Sequence, residues 1–293
     1  MHTIAVLICT CDRPKQLQIL LAALVREAVS DENYKILAVV VVDNGKTKVR
    51  DITDRFSSEL PINYENLPEP SLVRARNRSL ECGLSHNPDF LAFIDDDEEP
   101  SPGWLSGLVS CLTASGADFA MGPVKPIFET KPPAWAEEFF TKSGEDYCTS
   151  NLIVRSKVIP SDRQQWFQFK FNLTGGEDLD FLNRLSALGA RQDLAETALV
   201  FESIPAARLK ASYRWRSSFR DGIVASRIDS NNILKSGFIS FGSLPRASKK
   251  MLRGLNHVLW SAKDPTRIHR AADDFLFALG IVCGSLGFTT KFY

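Results

Sequence analysis

Five consecutive acidic residues, Asp95–Glu99, follow the apolar run Phe90–Ile94, which has the composition of a buried strand. Side chains two apart on a strand point the same way, so we expect Asp95 and Asp97 to face one cavity. Carboxylates packed together raise each other's pKa, and a hard divalent cation such as Mg²⁺ or Mn²⁺, shared with a diphosphate, would relieve that conflict. The alternative is a solvated acidic loop.

A second acidic cluster follows a pair of glycines. Gly175 and Gly176 let the backbone come close before a helix begins, and Glu177, Asp178 and Asp180 occupy the first turn of that helix. A carboxylate in such a position could take a proton from an attacking hydroxyl group. The structural alternative is charge complementarity at a helix N-terminus, which contributes about 0.3–1 kcal/mol per residue.

The elements that would position these acids alternate between strand and helix. Leucines spaced three and four apart predict a first helix, which Asp12 would cap and Pro14 would begin. Apolar runs predict strands covered on both faces, as in a parallel sheet. The predicted strands are Thr3–Thr10, Lys35–Val42 and Phe90–Ile94, with a second helix at Ser71–Leu84.

Acidic residues follow three of the predicted strands. Asp12, Asp43 and Asp95 lie at their carboxyl ends, where open α/β sheets bind ligands, so we expect all three at one rim. The chain after the acidic run ends in a helical, basic region. Before that region we expect a helix at Trp104–Ser115, apolar segments at Phe119–Val124 and Thr149–Val154, the glycine–acid motif at Gly175–Ala187 and a strand at Ala198–Phe201.

Six motifs, in the right order, resemble those of family-2 glycosyltransferases with the GT-A fold. They are IAVLICTCDRP (Ile4–Pro14), VVVVDNG (Val39–Gly45), VRARNRS (Val73–Ser79), IDDDE (Ile94–Glu98), TSNLIVR (Thr149–Arg155) and GGEDLDFLNR (Gly175–Arg184). The fourth resembles the DxD segment of that family, and the sixth resembles its ED motif. The resemblance implies an α/β fold with a Rossmann-like, mostly parallel central sheet flanked by helices. A helical, basic C-terminal extension would follow.

The same resemblance implies a division of the chain and a role for each matching residue. Residues 1–205 would form the catalytic domain, with a nucleotide-binding half (1–100) and an acceptor half (101–205), and 206–293 a helical region. The donor-binding residues would be Thr10, Asp12, Arg13, Asp43, Arg76, Asp95 and Asp96. Asp97 would bind Mn²⁺ or Mg²⁺, and Asp178 would act as general base. Residues near the acceptor or a phosphate would be Asn151, Glu177, Trp135, Arg208 and Arg216.

One position departs from the family pattern. Many relatives carry a histidine after the strand that follows the ED helix, and this chain has Glu202 there. A carboxylate can also ligate a hard cation, although it adds negative charge beside a diphosphate. We therefore treat Glu202 as a second candidate metal ligand.

The resemblance is strongest to bacterial exopolysaccharide glucosyltransferases of the succinoglycan type. It implies inverting transfer of glucose from UDP-glucose to a saccharide carried on a polyprenyl diphosphate. UDP-galactose, a UDP-N-acetylhexosamine and GDP-mannose remain alternative donors. Two other functions are open: a non-catalytic module that binds nucleotide-sugars or glycans, and a sugar nucleotidyltransferase. The latter would need a Gly/Arg-rich phosphate loop after the first strand, and Cys11–Pro14 does not resemble one.

The C-terminal part suggests contact with a membrane surface. Between Arg208 and Arg253 the sequence has eleven Lys/Arg and two acids, a pattern that suits phosphate or anionic lipid. The apolar run Phe275–Phe288 is shorter than the roughly 20 residues of a membrane span. We expect a buried or interfacial helix there, and a protein peripheral to the inner face of the cytoplasmic membrane.

The composition excludes several other classes. Lys+Arg and Asp+Glu balance at 35 each, and the basic stretch has no recognisable nucleic-acid motif, so a nucleic-acid partner is not expected. The six cysteines include no CxxC pair, and the four histidines do not cluster with them as a zinc site requires. We expect free thiols, buried or half-buried, in a reducing compartment. The N-terminus shows no signal-peptide pattern, which favours the cytoplasm.

Overall fold

The computed structural model describes residues 1–28, 33–141, 148–172, 174–233, 243–261 and 267–288. The chain forms two compact units. The first comprises Met1–Ile127, Phe140–Asn172 and Glu177–Ser203, and the second comprises Phe128–Phe139, Leu173–Gly176 and Ile204–Tyr293.

The described strands and helices follow one another in mixed order. The strands are β1 (His2–Thr10), β2 (Tyr34–Asp43), β3 (Ile62–Asn66), β4 (Phe90–Phe93), β5 (Glu98–Pro100), β6 (Phe119–Met121), β7 (Val124–Phe128), β8 (Leu152–Arg155), β9 (Gln192–Leu194) and β10 (Val200–Ile204). The helices are α1 (Pro14–Ala28), α2 (Arg50–Phe56), α3 (Leu72–Ser85), α4 (Trp104–Ser115), α5 (Ala136–Phe140), α6 (Glu177–Ala187), α7 (Ala211–Ile233), α8 (Leu244–Leu259) and α9 (Arg267–Ser285).

A seven-stranded sheet in the order β3-β2-β1-β4-β8-β6-β9 forms the centre of the first unit. The pairs among β3, β2, β1 and β4 are parallel, and β8 runs antiparallel to both of its neighbours. Alternate residues of β1 enter two different cores: Ile4 packs with the leucines of α1, and Leu7 packs with Leu80 of α3. The expected mostly parallel α/β sheet, flanked by helices, is confirmed.

The strand order explains how the acidic strand ends come to one edge. β1 lies between β2 and β4, with Thr10 opposite Asp43 and Leu7 opposite Phe93. Since all three strands run parallel, their carboxyl ends point the same way. A second sheet, in the order β5-β10-β7, begins directly beyond the acidic run and places Glu202 opposite Glu98.

The apolar run Phe119–Val124 forms β6 and the start of β7, with Gly122 and Pro123 between them. Two local expectations were wrong. Asp12 does not cap α1: its φ is +56° and its carboxylate accepts a hydrogen bond from Thr47 N at 2.6 Å. All six cysteines are free, but Cys11 is exposed rather than buried or half-buried.

The second unit has α9 packed against α7 and α8. The α7–α9 crossing depends on two glycines, because a Cβ on Gly222 or Gly280 would collide with backbone oxygens of the other helix. The run Phe275–Phe288 is largely part of α9, where Ala278 and Ile281 are buried. None of the described helices is both long enough and apolar enough to cross a bilayer.

Candidate active site

The acidic run forms a tight turn between β4 and β5. Glu98 N donates to Asp95 O at 3.2 Å, and Asp95 N donates to Glu98 Oε2 at 2.9 Å. The side chain of Asp95 is 40% exposed and that of Asp97 10%, whereas Asp96 is buried at 4%. The two more open carboxylates are therefore Asp95 and Asp97.

Asp96 ties this turn to the end of β1. Its carboxylate accepts hydrogen bonds from Thr10 Oγ1 at 2.8 Å and from Arg13 Nη1 at 2.7 Å. Thr10 and Asp96 are both buried. Two of the predicted donor-binding residues thus bind each other and hold the rim together.

Arg13 also contacts Asp97, through Nη1 and Oδ2 at 2.9 Å. Burial and the charges of Asp95, Asp96 and Glu202 together raise the pKa of Asp97 to about 7, although Arg13 opposes the shift. Among these described residues, Asp97 therefore lies among three other carboxylates and one guanidinium.

Glu202 approaches Asp97 from β10. It is 9% exposed, and Ser203 N, beside it, donates to Asp97 O at 2.9 Å. No group of three or more His, Cys, Asp or Glu within the described ranges could hold a metal ion. Mg²⁺ is commonly held by one or two carboxylates together with substrate phosphates. The excess of carboxylates around Asp97 fits a site of that kind, completed by a diphosphate.

Arg76 of α3 joins the acidic turn to the first turn of α6. Its buried guanidinium contacts Glu177 Oε1 at 2.5 Å, Asp178 Oδ2 at 3.7 Å and Asp95 Oδ1 at 3.7 Å. The sequence predicted that Arg76 faces the nucleotide or sugar, but it did not predict that one arginine holds both acidic motifs. Arg76 and Glu177 lie 101 residues apart, so no local pattern indicates the contact.

The two acids at the start of α6 have different surroundings. Glu177 is buried, and its Oε2 accepts no hydrogen bond from any described residue. Burial, followed by the charge of Asp178, raises the pKa of Glu177 to about 7, although Arg76 opposes the shift. The side chain of Asp178 is 21% exposed, and its Oδ1 accepts from Leu179 N at 2.8 Å. Asp178 is therefore the more accessible of the two acids.

Replacement of Glu177 by Gln should change how stability depends on pH. The pKa of Glu177 is higher in the folded protein than in the unfolded chain, so the unfolded chain loses this proton at lower pH. The free energy of unfolding of the wild type therefore falls as pH rises from the ordinary glutamate pKa to about 7. Glu177→Gln lacks this loss, so we expect its free energy of unfolding, relative to wild type, to be roughly 1–3 kcal/mol more favourable at about pH 8 than at about pH 5. Urea unfolding at the two pH values measures this, and a difference that does not change with pH would contradict it.

Asp43 shapes the loop that follows β2. It has no exposed surface, and its carboxylate accepts from Gly45 N at 3.0 Å, Val49 N at 3.3 Å and Tyr64 Oη at 2.8 Å. Its oxygens are thus engaged within the fold. Asp12, which lies opposite and is exposed, is the better placed of the two carboxylates for contact with a ligand.

Gly45 is required where this loop meets the end of β1. A Cβ at this position would lie 2.5 Å from Asp12 N. We expect Gly45→Ala to destabilise the protein by about 1–3 kcal/mol and to weaken nucleotide binding, because the rim must open to admit the methyl group. Lys35, exposed at the opposite end of β2, supplies the control: Lys35→Ala should leave the unfolding midpoint and nucleotide affinity unchanged, and equal behaviour of the two variants would refute the prediction.

The predicted acceptor-side residues are divided between the two units. Asn151 has no exposed surface; its amide donates to Pro123 O and Ala198 O and accepts from Trp104 Nε1. It supports the core and is not retained as a ligand contact.

The other predicted acceptor-side residues, apart from Glu177, belong to the second unit. Trp135 is 7% exposed, and the guanidinium of Arg214 lies 5.0 Å from its ring centre, so its ring is not open for stacking on a sugar. Arg208 lies 6.0 Å from the ring of Tyr213, and Arg216 is exposed on α7.

The sequence model of glycosyl transferase family 2 matches residues 5–174, more than half of the chain. The chain belongs to glycosyl transferase family 2. It is therefore a glycosyltransferase, and the matched range holds the rim, the acidic turn and Arg76. Glu177 and Asp178 lie just beyond this range and are joined to it by the Arg76 contacts described above.

One curated relative supports the same family. The succinoglycan biosynthesis protein ExoM of Rhizobium meliloti (strain 1021) is 27% identical over 234 residues, which cover 75% of this chain and 73% of ExoM.

Solved structures share the fold at low identity. TarS 1–349 of S. aureus in complex with UDP-GlcNAc has a TM-score of 0.55 and 16% identity, covering 98% of this chain and 92% of TarS 1–349. The mannosyltransferase PcManGT of Pyrobaculum calidifontis, in complex with GDP-Man and Mn²⁺, has a TM-score of 0.61 and 13% identity, covering 96% and 86%. The expected GT-A fold is confirmed.

Proposed function

We propose that this family-2 enzyme transfers glucose from UDP-glucose, with inversion, to a hydroxyl group of a lipid-linked saccharide in exopolysaccharide synthesis. The observation that carries the proposal is the Arg76 cluster, in which one guanidinium contacts an acid of the strand-end turn and both acids of α6. A donor site and a proton acceptor would thus lie beside each other, as a direct displacement requires.

The donor would occupy the rim formed by the ends of β1, β2 and β4. Asp12 and the loop held by Asp43 and Gly45 would border the nucleoside, and Asp95 would face the ribose or the sugar. Arg13 would face the diphosphate, because its guanidinium already lies between Asp96 and Asp97 and Lys/Arg groups bind phosphate oxygens strongly.

Asp97 and Glu202 would hold the divalent ion, Mn²⁺ or Mg²⁺, together with the diphosphate oxygens. When bound, the ion supplies positive charge that neutralises the departing diphosphate. The raised pKa of Asp97, which comes from burial and neighbouring carboxylates, supports a need for a further cation there.

Asp178 would act as general base. It would take the proton from the acceptor hydroxyl group while the hydroxyl oxygen bonds to the anomeric carbon and the bond to the diphosphate breaks. Arg76 would orient Asp178, because its guanidinium lies 3.7 Å from Asp178 Oδ2. Glu177, which is buried and contacts the guanidinium of Arg76, would position Arg76 rather than touch substrate.

The choice of donor and acceptor draws on the relatives. ExoM is named for succinoglycan biosynthesis, which supports an exopolysaccharide product. TarS has been solved with UDP and UDP-GlcNAc, and PcManGT with GDP-Man, so both nucleotides occur among proteins of this fold. We favour UDP-glucose and a polyprenyl-diphosphate-linked acceptor, which would place the reaction at the inner face of the cytoplasmic membrane.

A transfer assay tests the proposal. Purified protein would be incubated with bacterial membranes, Mn²⁺ and radiolabelled UDP-glucose, UDP-galactose, UDP-N-acetylglucosamine or GDP-mannose in parallel. We expect label from UDP-glucose in the organic-solvent extract, at a level well above the other donors. Label incorporated from a different donor would show that the transferred sugar is not glucose from UDP-glucose. Nucleotide binding without transfer from any donor would instead support a non-catalytic module.

A further inference from the structure

Helix α8 (Leu244–Leu259) exposes an apolar face. Leu252, Leu255 and Leu259 are 68%, 53% and 79% exposed, and their spacing of three and four residues places them on one side of the helix. Met251 and Val258 are exposed beside them, at 51% and 43%. A helix of a water-soluble domain normally turns such a stripe toward the core.

The side of α8 that faces α9 contains small and charged residues instead. Ala247 is buried, and Gly254 packs against the ring of Phe275. Asp274, 1% exposed, accepts from Arg253 Nε at 2.7 Å and lies 3.1 Å from Lys250 Nζ. The leucines are therefore not needed to attach α8 to its unit, and their exposure is a property of the fold.

The charge of α8 indicates what covers this face. The helix carries four basic residues and no acidic residue: Lys250 and Arg253 pair with Asp274, and Arg246 and Lys249 are exposed. An apolar stripe beside basic side chains is typical of helices that lie in the headgroup region of an anionic bilayer. Lys249 is exposed, and Trp260, 47% exposed at the end of the helix, is a residue type that favours the bilayer interface.

We propose that α8 is the membrane-binding element of this enzyme, lying in the plane of an anionic bilayer with its leucines inserted. The proposal deepens the proposed function, because a lipid-linked acceptor would be presented at the same surface. The run Phe275–Phe288, which the sequence predicted to be buried or interfacial, is buried only in part: Ala278 and Ile281 are buried, whereas Leu279, Val282 and Leu286 are exposed.

Vesicle sedimentation tests the assignment. The full chain would be mixed with phosphatidylcholine vesicles, with and without phosphatidylglycerol, at low and high salt. We expect binding to the anionic vesicles that weakens with salt, and a loss of at least about tenfold in partitioning for Leu252→Glu/Leu259→Glu. The matched control is Leu188→Glu, at a residue that is 69% exposed in the first unit, and it should bind like wild type.

Two results would overturn the proposal. One is wild-type protein that does not bind anionic vesicles at low salt; the other is binding that the double variant retains in full. If the wild-type protein is a dimer that does not bind vesicles, and the double variant is a monomer, the face binds a second copy of the chain. UDP binding measured on the same variants reports on the donor site alone, so a failure of the proposed function remains distinguishable.

Discussion

Asp178→Asn should lower the turnover number by about 10²–10⁴-fold while leaving nucleotide affinity unchanged. The variant keeps the shape of the side chain but removes its capacity to accept a proton from the acceptor hydroxyl group. Asp178 is partly exposed, and its oxygens accept hydrogen bonds from the backbone amides of Thr149 and Leu179. Asparagine keeps one oxygen, which can still accept from Leu179 N, so the start of α6 should stay in place. Steady-state rates and calorimetric UDP affinity measure the two effects separately.

The control for this prediction is Glu196→Gln, which removes a charge from an exposed position in the same unit. It should transfer sugar at the wild-type rate. If Asp178→Asn kept more than about a tenth of the wild-type turnover, another group would have to be the base. A loss of UDP affinity together with turnover would mean that Asp178 contributes to the donor site instead.

Arg76→Met should be the most destabilising single substitution in the site, costing about 3–5 kcal/mol of unfolding free energy. The methionine fills much of the volume but leaves Glu177, Asp178 and Asp95 without their shared cation. Glu177 would be affected most, because it is buried and in direct contact with the guanidinium. We also expect transfer to be lost, since the two acidic motifs would no longer be held together.

Arg74, two residues earlier on α3, provides a matched control. It pairs with Glu69, but both side chains are at least half exposed, and exposed ion pairs contribute about 0–1 kcal/mol. Urea unfolding at neutral pH should thus separate Arg74→Met from Arg76→Met by more than about 2 kcal/mol. Similar unfolding free energies for the two variants would show that the buried carboxylates do not depend on Arg76.

The sheet was predictable because its determinants are local. Continuous apolar runs indicate strands covered on both faces, and an acid lies at the end of β2 and two residues beyond the ends of β1 and β4. The edge strand β3 was not predicted. Its sequence, INYEN, is mostly polar and half-buried, so it lacks the apolar run that identifies a central strand. Its pairing with β2 is set by tertiary contacts.

The contacts that build the site were less predictable than its residues. Arg76, Asp95 and Glu177 could be named from their motifs, but their meeting depends on three elements that are distant in the sequence. Residue type alone also misled at Asn151, whose positive φ of +55° and buried amide reflect a role in the core. Ligand contact and internal hydrogen bonding require the same polar groups, so only the surroundings distinguish them.

The apolar face of α8 was missed for a related reason. Phe275–Phe288 is more apolar on average than the sequence of α8. The prediction of an interfacial segment used this average and therefore named Phe275–Phe288. Exposure depends on how the residues are arranged around a helix: Leu252, Leu255 and Leu259 align on the outer side of α8, and α9 buries Ala278 and Ile281 but exposes Leu279 and Leu286. Periodicity in a sequence shows a face, but only the packed structure shows which way it points.

Calorimetric titration of UDP and GDP, with Mn²⁺ and then with EDTA, tests the central claim most directly. We expect UDP to bind to the wild-type protein with Mn²⁺, and binding to be lost with EDTA and in Asp97→Ala. Glu196→Gln, at an exposed position after the edge strand β9, should bind as wild type does. Folded wild-type protein that binds neither nucleotide with Mn²⁺ present would contradict the account, and so would Asp97→Ala with unchanged metal-dependent binding.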